Sequence, residues 1–246
     1  MRNIKLTIEY DGKEFNGWQK QPKQLNIQGT IEKAIQQITG EEVELMASGR
    51  TDSGVHALGQ VANFKTNSNI PIEKIPIAIN SNLKKSILIR SAEEVEERFH
   101  SRLTCKRKTY RYVINNSKYG TAIYRNLETH IPVKLDVEKM EEAIKYFEGE
   151  HDFKAFKSSG TSSKSSIRTI YKAEIIKNDN DKIWIELTGN GFLYNMVRII
   201  AGTLVDVGLG KIEPDAIPNI IKSKKRENAG KTLPPQGLYL VKVDYE

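Results

Sequence analysis

Ile4, Leu6, Ile8 and Tyr10 alternate with polar residues, so the chain opens on a strand with one buried face. A stripe at Ile31, Ala34, Ile35 and Ile38 then repeats at helical spacing over about Gln28–Thr39, where Gly40 supplies a stop. Two strands near Val43–Ala47 and Leu58–Phe64 follow, then a weaker helix over Ile72–Asn82 interrupted at Pro76, and a strand over Ser86–Arg90. From Lys108 the same order returns. It runs through a strand to Ile114, a helix over Asp136–Phe147 ended by Gly149, and strands Tyr171–Ile176 and Ile183–Leu187. A helix from Leu193 to Val207 stopped at Gly208 and a strand over Leu238–Val243 close it. A doubled β-α-β-β-α-β order restricts the chain to an α+β fold of two ferredoxin-like or RRM-like halves, each with a mixed, mainly antiparallel sheet. The boundary is expected between Glu94 and Cys105, giving halves of residues 1–100 and 101–246 with a cleft between them.

Charge narrows the partner. The formal net charge is +7 and the pI near 9.2, but distribution says more than the total. Arg98 to Leu127 holds eight Lys or Arg and no acid, and Phe153 to Ala173 holds five more, again without an acid. These stretches carry +13, which leaves −6 for everything else. Such segregation is either a solvated basic face or a footprint for phosphates, and charge alone does not choose. Tyr110, Tyr112, Tyr119 and Tyr124, interleaved with the cations, favour nucleic acid because aromatics stack on bases while cations hold the backbone. Gly and Ser concentrate in Ser158–Ser166, which reads as a mobile loop inside the basic patch, and the cation-rich Lys222–Thr232 reads as a solvated linker that touches RNA. Cys105 is the single cysteine, so no internal disulfide forms. No cleavable apolar leader and no apolar run of the roughly 18 residues a membrane span needs is present. A cytoplasmic protein without membrane attachment is expected.

Chemistry concentrates in Gly49-Arg50-Thr51-Asp52-Ser53-Gly54-Val55-His56-Ala57. A carboxylate on a glycine-flanked turn, two residues after a guanidinium, is a poor core and a good way to present an acid. Arg50 favours the charged form of Asp52, which should therefore work as a carboxylate at neutral pH, as nucleophile or base. Two other readings compete. Thr-Asp-Ser-Gly is also a turn on its own chemistry, since Asp and Ser bond their own backbone and Gly supplies positive φ. Asp52 and His56 are both possible metal ligands, although the four histidines come with neither HExxH nor paired CxxC.

The nine-residue run, followed by Leu58-Gly59-Gln60-Val61-Ala62-Asn63-Phe64, resembles the signature of the tRNA pseudouridine synthase A family. Further segments resemble it in the same order across almost the whole chain: Tyr10-Asp11-Gly12 through Gly17-Trp18-Gln19, Asn26 to Thr30, Lys108-Thr109-Tyr110-Arg111-Tyr112, Gly149 to Phe153, Ile167 to Ile170, and Gly191-Phe192-Leu193 through Arg198. Ser53 stands where alanine is common in the family. The resemblance implies a tRNA pseudouridine synthase acting at uridines 38, 39 and 40 of the anticodon stem-loop. It also implies a homodimer in which one tRNA contacts both subunits, with a central RNA-binding cleft and neither metal nor small-molecule cofactor.

By the same matching, Asp52 is the essential carboxylate and Arg50 pairs with it. Tyr110 stacks on the base, Arg198 organises the carboxylate, and Leu238 lines the uracil pocket. Arg107, Lys108 and Arg168 join Tyr110 and Leu238 as substrate-binding residues. Hydrolysis of the glycosidic bond would call for two carboxyls roughly 5 to 9.5 Å apart. From Val43 through Asn63 the only acid besides Asp52 is Glu44, which favours isomerisation. The competing readings are an RNA-binding or RNA-refolding protein on the same scaffold, and a metal-dependent RNA hydrolase using Asp52 and His56.

Overall fold

A computed structural model describes residues 1–160, 165–178 and 181–246. Four residues of the expected loop Ser158–Ser166, numbers 161–164, lie outside the described residues. The chain divides into two compact units, residues 1–106 with 239–246, and residues 107–238.

The first unit runs β1 (Arg2–Tyr10), α1 (Ile27–Thr39), β2 (Met46–Ala47), β3 (His56–Thr66), α2 (Ile75–Asn80) and β4 (Ile87–Val95). The alternation read from Ile4 to Tyr10 buries those four side chains. β1 pairs antiparallel with β3, Ile4 opposite Phe64 and Leu6 opposite Ala62, and with β4 on its other side. α1 is closed at both ends. Asn26 accepts from the Gly29 N–H at 2.8 Å, and Gly40 at φ +73° returns its N–H to Gln36 O. Pro76 does not break α2; it sits in the first turn, where its missing N–H costs nothing.

The strand expected from Val43 shrinks to Met46–Ala47 for a local reason. Glu32, buried on α1, accepts the Leu45 N–H at 3.0 Å and the Gln28 side-chain amide at 2.9 Å. That N–H is therefore unavailable to a ladder, and pairing with β3 begins only at Met46 opposite Asn63.

The second unit continues as β5 (Arg107–Asn115), β6 (Thr129–His130), α3 (Val137–Ile144), β7 (Gly149–Asp152), β8 (Ile167–Asn178), β9 (Lys182–Gly189), α4 (Met196–Gly208) and α5 (Ile217–Ser223). β5, β9, β8 and β7 follow one another antiparallel, and β6 adds to β5 in parallel. β5, α3, β8, β9 and α4 thus repeat the order of β1, α1, β2, β3 and α2, and the chain is α+β with mainly antiparallel strands. Tyr112, Ile114, Ile185 and Leu187 turn one sheet face into core, and α4 supplies Ile199, Ile200, Leu204 and Val207. Phe153 and Phe156 pack edge-on beside Phe147.

The last strand, β10 (Leu238–Asp244), departs from the expected division at residue 100. It pairs in parallel with β3, Tyr239 opposite His56 and Leu240 opposite Ala57, so residues 239–246 belong with the first unit and not with the second. The first unit also extends past residue 100. Asn63 donates to Asn3 Oδ1 and accepts from both the N–H and Oγ of Ser101, and Asn3 donates to the carbonyls of Glu96 and Phe99. This buried amide cluster holds the 96–104 segment on the first sheet, where Tyr245 packs on Phe99 and donates to Ser101 O.

The Lys222–Thr232 stretch is also less solvated than its composition implies. Arg226 turns inward to the carbonyls of Ala229 and Gly230 and to Thr232 Oγ1, and the Gly230 N–H donates to Thr203 Oγ1 of α4. Among the described residues no helix is long and apolar enough to cross a membrane.

Gly202 shows how closely this stretch lies on α4: a Cβ there would meet Lys231 O at 1.9 Å. Alanine normally stabilises a helix interior relative to glycine by about 0.5–1 kcal/mol. Gly202→Ala is expected to reverse that sign and destabilise by about 1–3 kcal/mol through overpacking. Urea unfolding measures it, and a stabilised variant would refute the close approach.

Candidate active site

Arg50 and Asp52 lie on the connection from β2 to β3. The strand that follows holds this connection through one side chain. Gln60, fully buried in β3, donates to Gly49 O at 2.9 Å and accepts from Ser48 Oγ at 2.7 Å and from the Val61 N–H at 3.1 Å. Two residues beyond Gly49, Thr51 is buried, with its hydroxyl 2.7 Å from the Tyr10 phenol and its carbonyl accepting the Trp18 N–H at 3.0 Å. Burial pushes the Tyr10 phenol far above its usual range, so the group stays neutral and hydrogen-bonded. Asp52 O then accepts the Val55 N–H at 3.2 Å, closing a turn with Gly54 at φ +76°, and Ser53 Oγ donates to Phe15 O at 3.2 Å. The segment is thus the turn its own chemistry suggests. Residues on both sides of Asp52 are pinned, and Asp52 itself is half-buried beside an exposed Arg50.

His56 opens β3. Its ring is buried and stacks on Tyr239 with centroids 4.9 Å apart, and Nδ1 accepts the Gly12 N–H at 3.1 Å. Asp11 Oδ1 lies 3.1 Å from the same nitrogen. A nitrogen that accepts from Gly12 carries no proton, so in that state the approach is not an ion pair. Among the described residues no group of three His, Cys, Asp or Glu side chains is placed to hold a metal ion.

The other predicted residues lie on the second unit and at the start of β10. Arg107, Lys108 and Tyr110 share β5, with Tyr110 nearly buried and edge-on to Phe192 at 5.0 Å. Phe192, which the sequence marks only as part of a Gly-Phe-Leu segment, thus sets one side of the Tyr110 ring. Tyr112, further along β5, donates to Pro234 O at 2.7 Å, so the Thr129 hydroxyl at 2.6 Å must donate to it in turn. Burial raises the Tyr112 pKa, opposed in part by the charge of Arg198. This bond fixes the Pro234–Gly237 approach to Leu238, whose side chain is buried.

Arg198, near the start of α4, donates from Nε to Leu233 O and from one terminal nitrogen to Asn195 Oδ1, both at 2.7 Å. Arg168 on β8 donates to the carbonyls of Ser165 and Ile167 and runs beside Gly191. Burial lowers its pKa, yet a guanidinium stays charged. Lys154, from the second basic stretch, has its N–H on Asp152 Oδ1. Ser166 and Lys224 also bind that carboxylate and hold it below the usual range.

Asp52 thus lies in a hydrogen-bonded turn of the first unit, and Arg107, Lys108 and Tyr110 share a strand of the second. Comparison with known proteins identifies the family. A model of the family described as tRNA pseudouridine synthase matches residues 6–103 and 143–246. The chain is 56% identical to tRNA pseudouridine synthase A of Caldicellulosiruptor saccharolyticus, and 53% identical to those of Thermoanaerobacter pseudethanolicus and Acetivibrio thermocellus. Each of these alignments covers 100% of both chains. The chain belongs to the tRNA pseudouridine synthase family and is a tRNA-modifying isomerase.

Gly17, at φ +80°, lies so close beneath the turn that a Cβ would meet Thr51 O at 2.6 Å. Gly17→Ala is expected to displace Thr51 and its neighbour, lowering single-turnover isomerisation by about tenfold or more while tRNA affinity stays within about twofold. Equal losses in both would show that the turn serves binding and not chemistry.

Proposed function

We propose that the protein converts uridine to pseudouridine at positions 38, 39 and 40 of the tRNA anticodon stem-loop, with Asp52 as its essential carboxylate. The observation that carries this reading is the mounting of Asp52, whose neighbours Thr51 and Ser53 are tied to Trp18, Tyr10 and Phe15 while the residue itself stays half-exposed. A carboxylate held this way needs no reorganisation when charge develops at the sugar.

The reaction breaks the bond between uracil N1 and ribose C1′, rotates the base and joins C5 to C1′. A proton leaves C5 and N1 gains one, so no atom is added or lost and no oxidant or reductant enters. Asp52 acts at the ribose, by attack on C1′ or by removal of the C2′ proton, and Arg50 keeps it ionised. Tyr110 stacks on the uracil, Leu238 bounds its pocket, and Arg198 helps organise the Asp52 carboxylate. Arg107, Lys108 and Arg168 hold phosphates. Turning a uridine out of a stem costs a few kcal/mol, which such stacking and phosphate contacts offset. The family likeness further supports a homodimer as the working form.

Pseudouridine mapping at nucleotide resolution on an unmodified tRNA transcript, in excess EDTA, tests the reading. Conversion in the 3′ arm of the anticodon stem-loop is expected, and Asp52→Asn should abolish it while thermal stability and most tRNA affinity persist, because phosphate contacts supply much of the binding. Activity of that variant within about tenfold of wild type would remove Asp52 from the chemistry. Charge reversal at Lys106, Arg107 and Lys108 together should weaken tRNA binding and flatten its dependence on salt. An unchanged slope would put the phosphate-binding face elsewhere.

A further inference from the structure

Asn195 occupies the N-cap of α4 in a left-handed conformation, φ +61° and ψ +7°, and its side chain makes no capping hydrogen bond. An asparagine at that position ordinarily accepts from the N–H two or three residues on, a bond whose loss typically costs about 1 kcal/mol. Here both ends of the carboxamide are engaged elsewhere. Oδ1 accepts from Arg198 at 2.7 Å, and Nδ2 donates to Ser158 Oγ at 3.0 Å. Ser158 is itself fixed, its N–H donating to Tyr194 O at 3.2 Å, so the amide is held in one orientation with its oxygen toward the guanidinium.

A helix start that forgoes its cap and accepts an uncommon backbone conformation is a local cost maintained by something else. The gain is visible at Arg198. Its Nε is bonded to Leu233 O, and the Leu233 N–H returns to Arg198 O at 3.3 Å. A bond from a terminal nitrogen, added to the one from Nε, constrains the plane of the guanidinium as well as its position.

We propose that Asn195 is a positioning residue for the isomerisation: it sets the plane of the Arg198 guanidinium, and Ser158 sets the orientation of Asn195. The proposal rests on the role given to Arg198 above. It assigns Asn195 no contact with the substrate.

Asn195→Gly is the informative variant, because glycine accepts the left-handed backbone without strain and removes only the side chain. Single-turnover conversion of an unmodified tRNA transcript should fall by about tenfold or more, the scale of one hydrogen bond to a charged group, with tRNA affinity and melting temperature little changed. Asn195→Asp keeps an acceptor for Arg198, with Ser158 donating in place of the amide, and should recover most of the loss. The double variant Asn195→Gly with Arg198→Ala should be no slower than Arg198→Ala alone.

Additive effects, or wild-type turnover in Asn195→Gly beside an impaired Arg198→Ala, would overturn the positioning role and leave Arg198 in place. Wild-type turnover in Arg198→Ala would overturn the role of Arg198 and this proposal with it. A loss in Asn195→Gly confined to tRNA affinity would mark Asn195 as a binding residue.

Discussion

The carboxamide of Gln60 is buried in the middle of a strand, where a polar side chain without partners is costly. Its full satisfaction requires the chain before β3 to double back, since Ser48 Oγ and the Gly49 carbonyl make its shortest hydrogen bonds. That requirement fixes the entry of the Arg50–Asp52 segment, and the Trp18 N–H on Thr51 O fixes it from the other side. Everything proposed for Asp52 depends on these two attachments, because a carboxylate on an untethered loop would have to be ordered anew in each turnover.

Local chemistry made some of this legible in the sequence. The stripe in α1, its Asn26 and Gly40 ends, and the alternation in β1 depend on neighbours within a turn or two, and they fold as they read. Asp52 stood out because glycine, arginine and a carboxylate sat together before an apolar strand. Other features depend on partners far along the chain. Glu32 shortens β2 by taking the Leu45 N–H, which no periodicity announces. Strand β10 reads as the last strand of the second half, yet its register is set by His56 and Ala57. The periodicity starts this helix at Leu193 and so places Asn195 inside it, whereas Asn195 caps a helix that begins at Met196 and bonds Arg198.

The basic stretches also change meaning once folded. Arg111 lies 3.9 Å over the Trp184 ring and donates to Glu186 at 2.6 Å, so it belongs to the sheet's own cohesion. Lys172 pairs with Glu174, and Arg226, which composition placed on a solvated linker, binds backbone carbonyls and the Thr232 hydroxyl. Acids outside the cation-rich segments come back to meet them in space. The phosphate-facing charge is therefore a subset of what the sequence counts, because ion pairs and backbone contacts form without regard to sequence blocks.

One feature of the topology has a bearing on biosynthesis. The strand that follows the Asp52 turn takes β1 on one edge, while its opening residues on the other edge wait for β10, with Tyr239 stacking on His56. During translation the amino-terminal segments emerge first, so the turn and its immediate supports exist long before that parallel partner. While residues 107–238 are being made, the nascent chain holds a carboxylate loop beside an unfinished sheet edge. The first unit acquires its last strand only after the second unit has been synthesised, so its folding closes across the length of another unit.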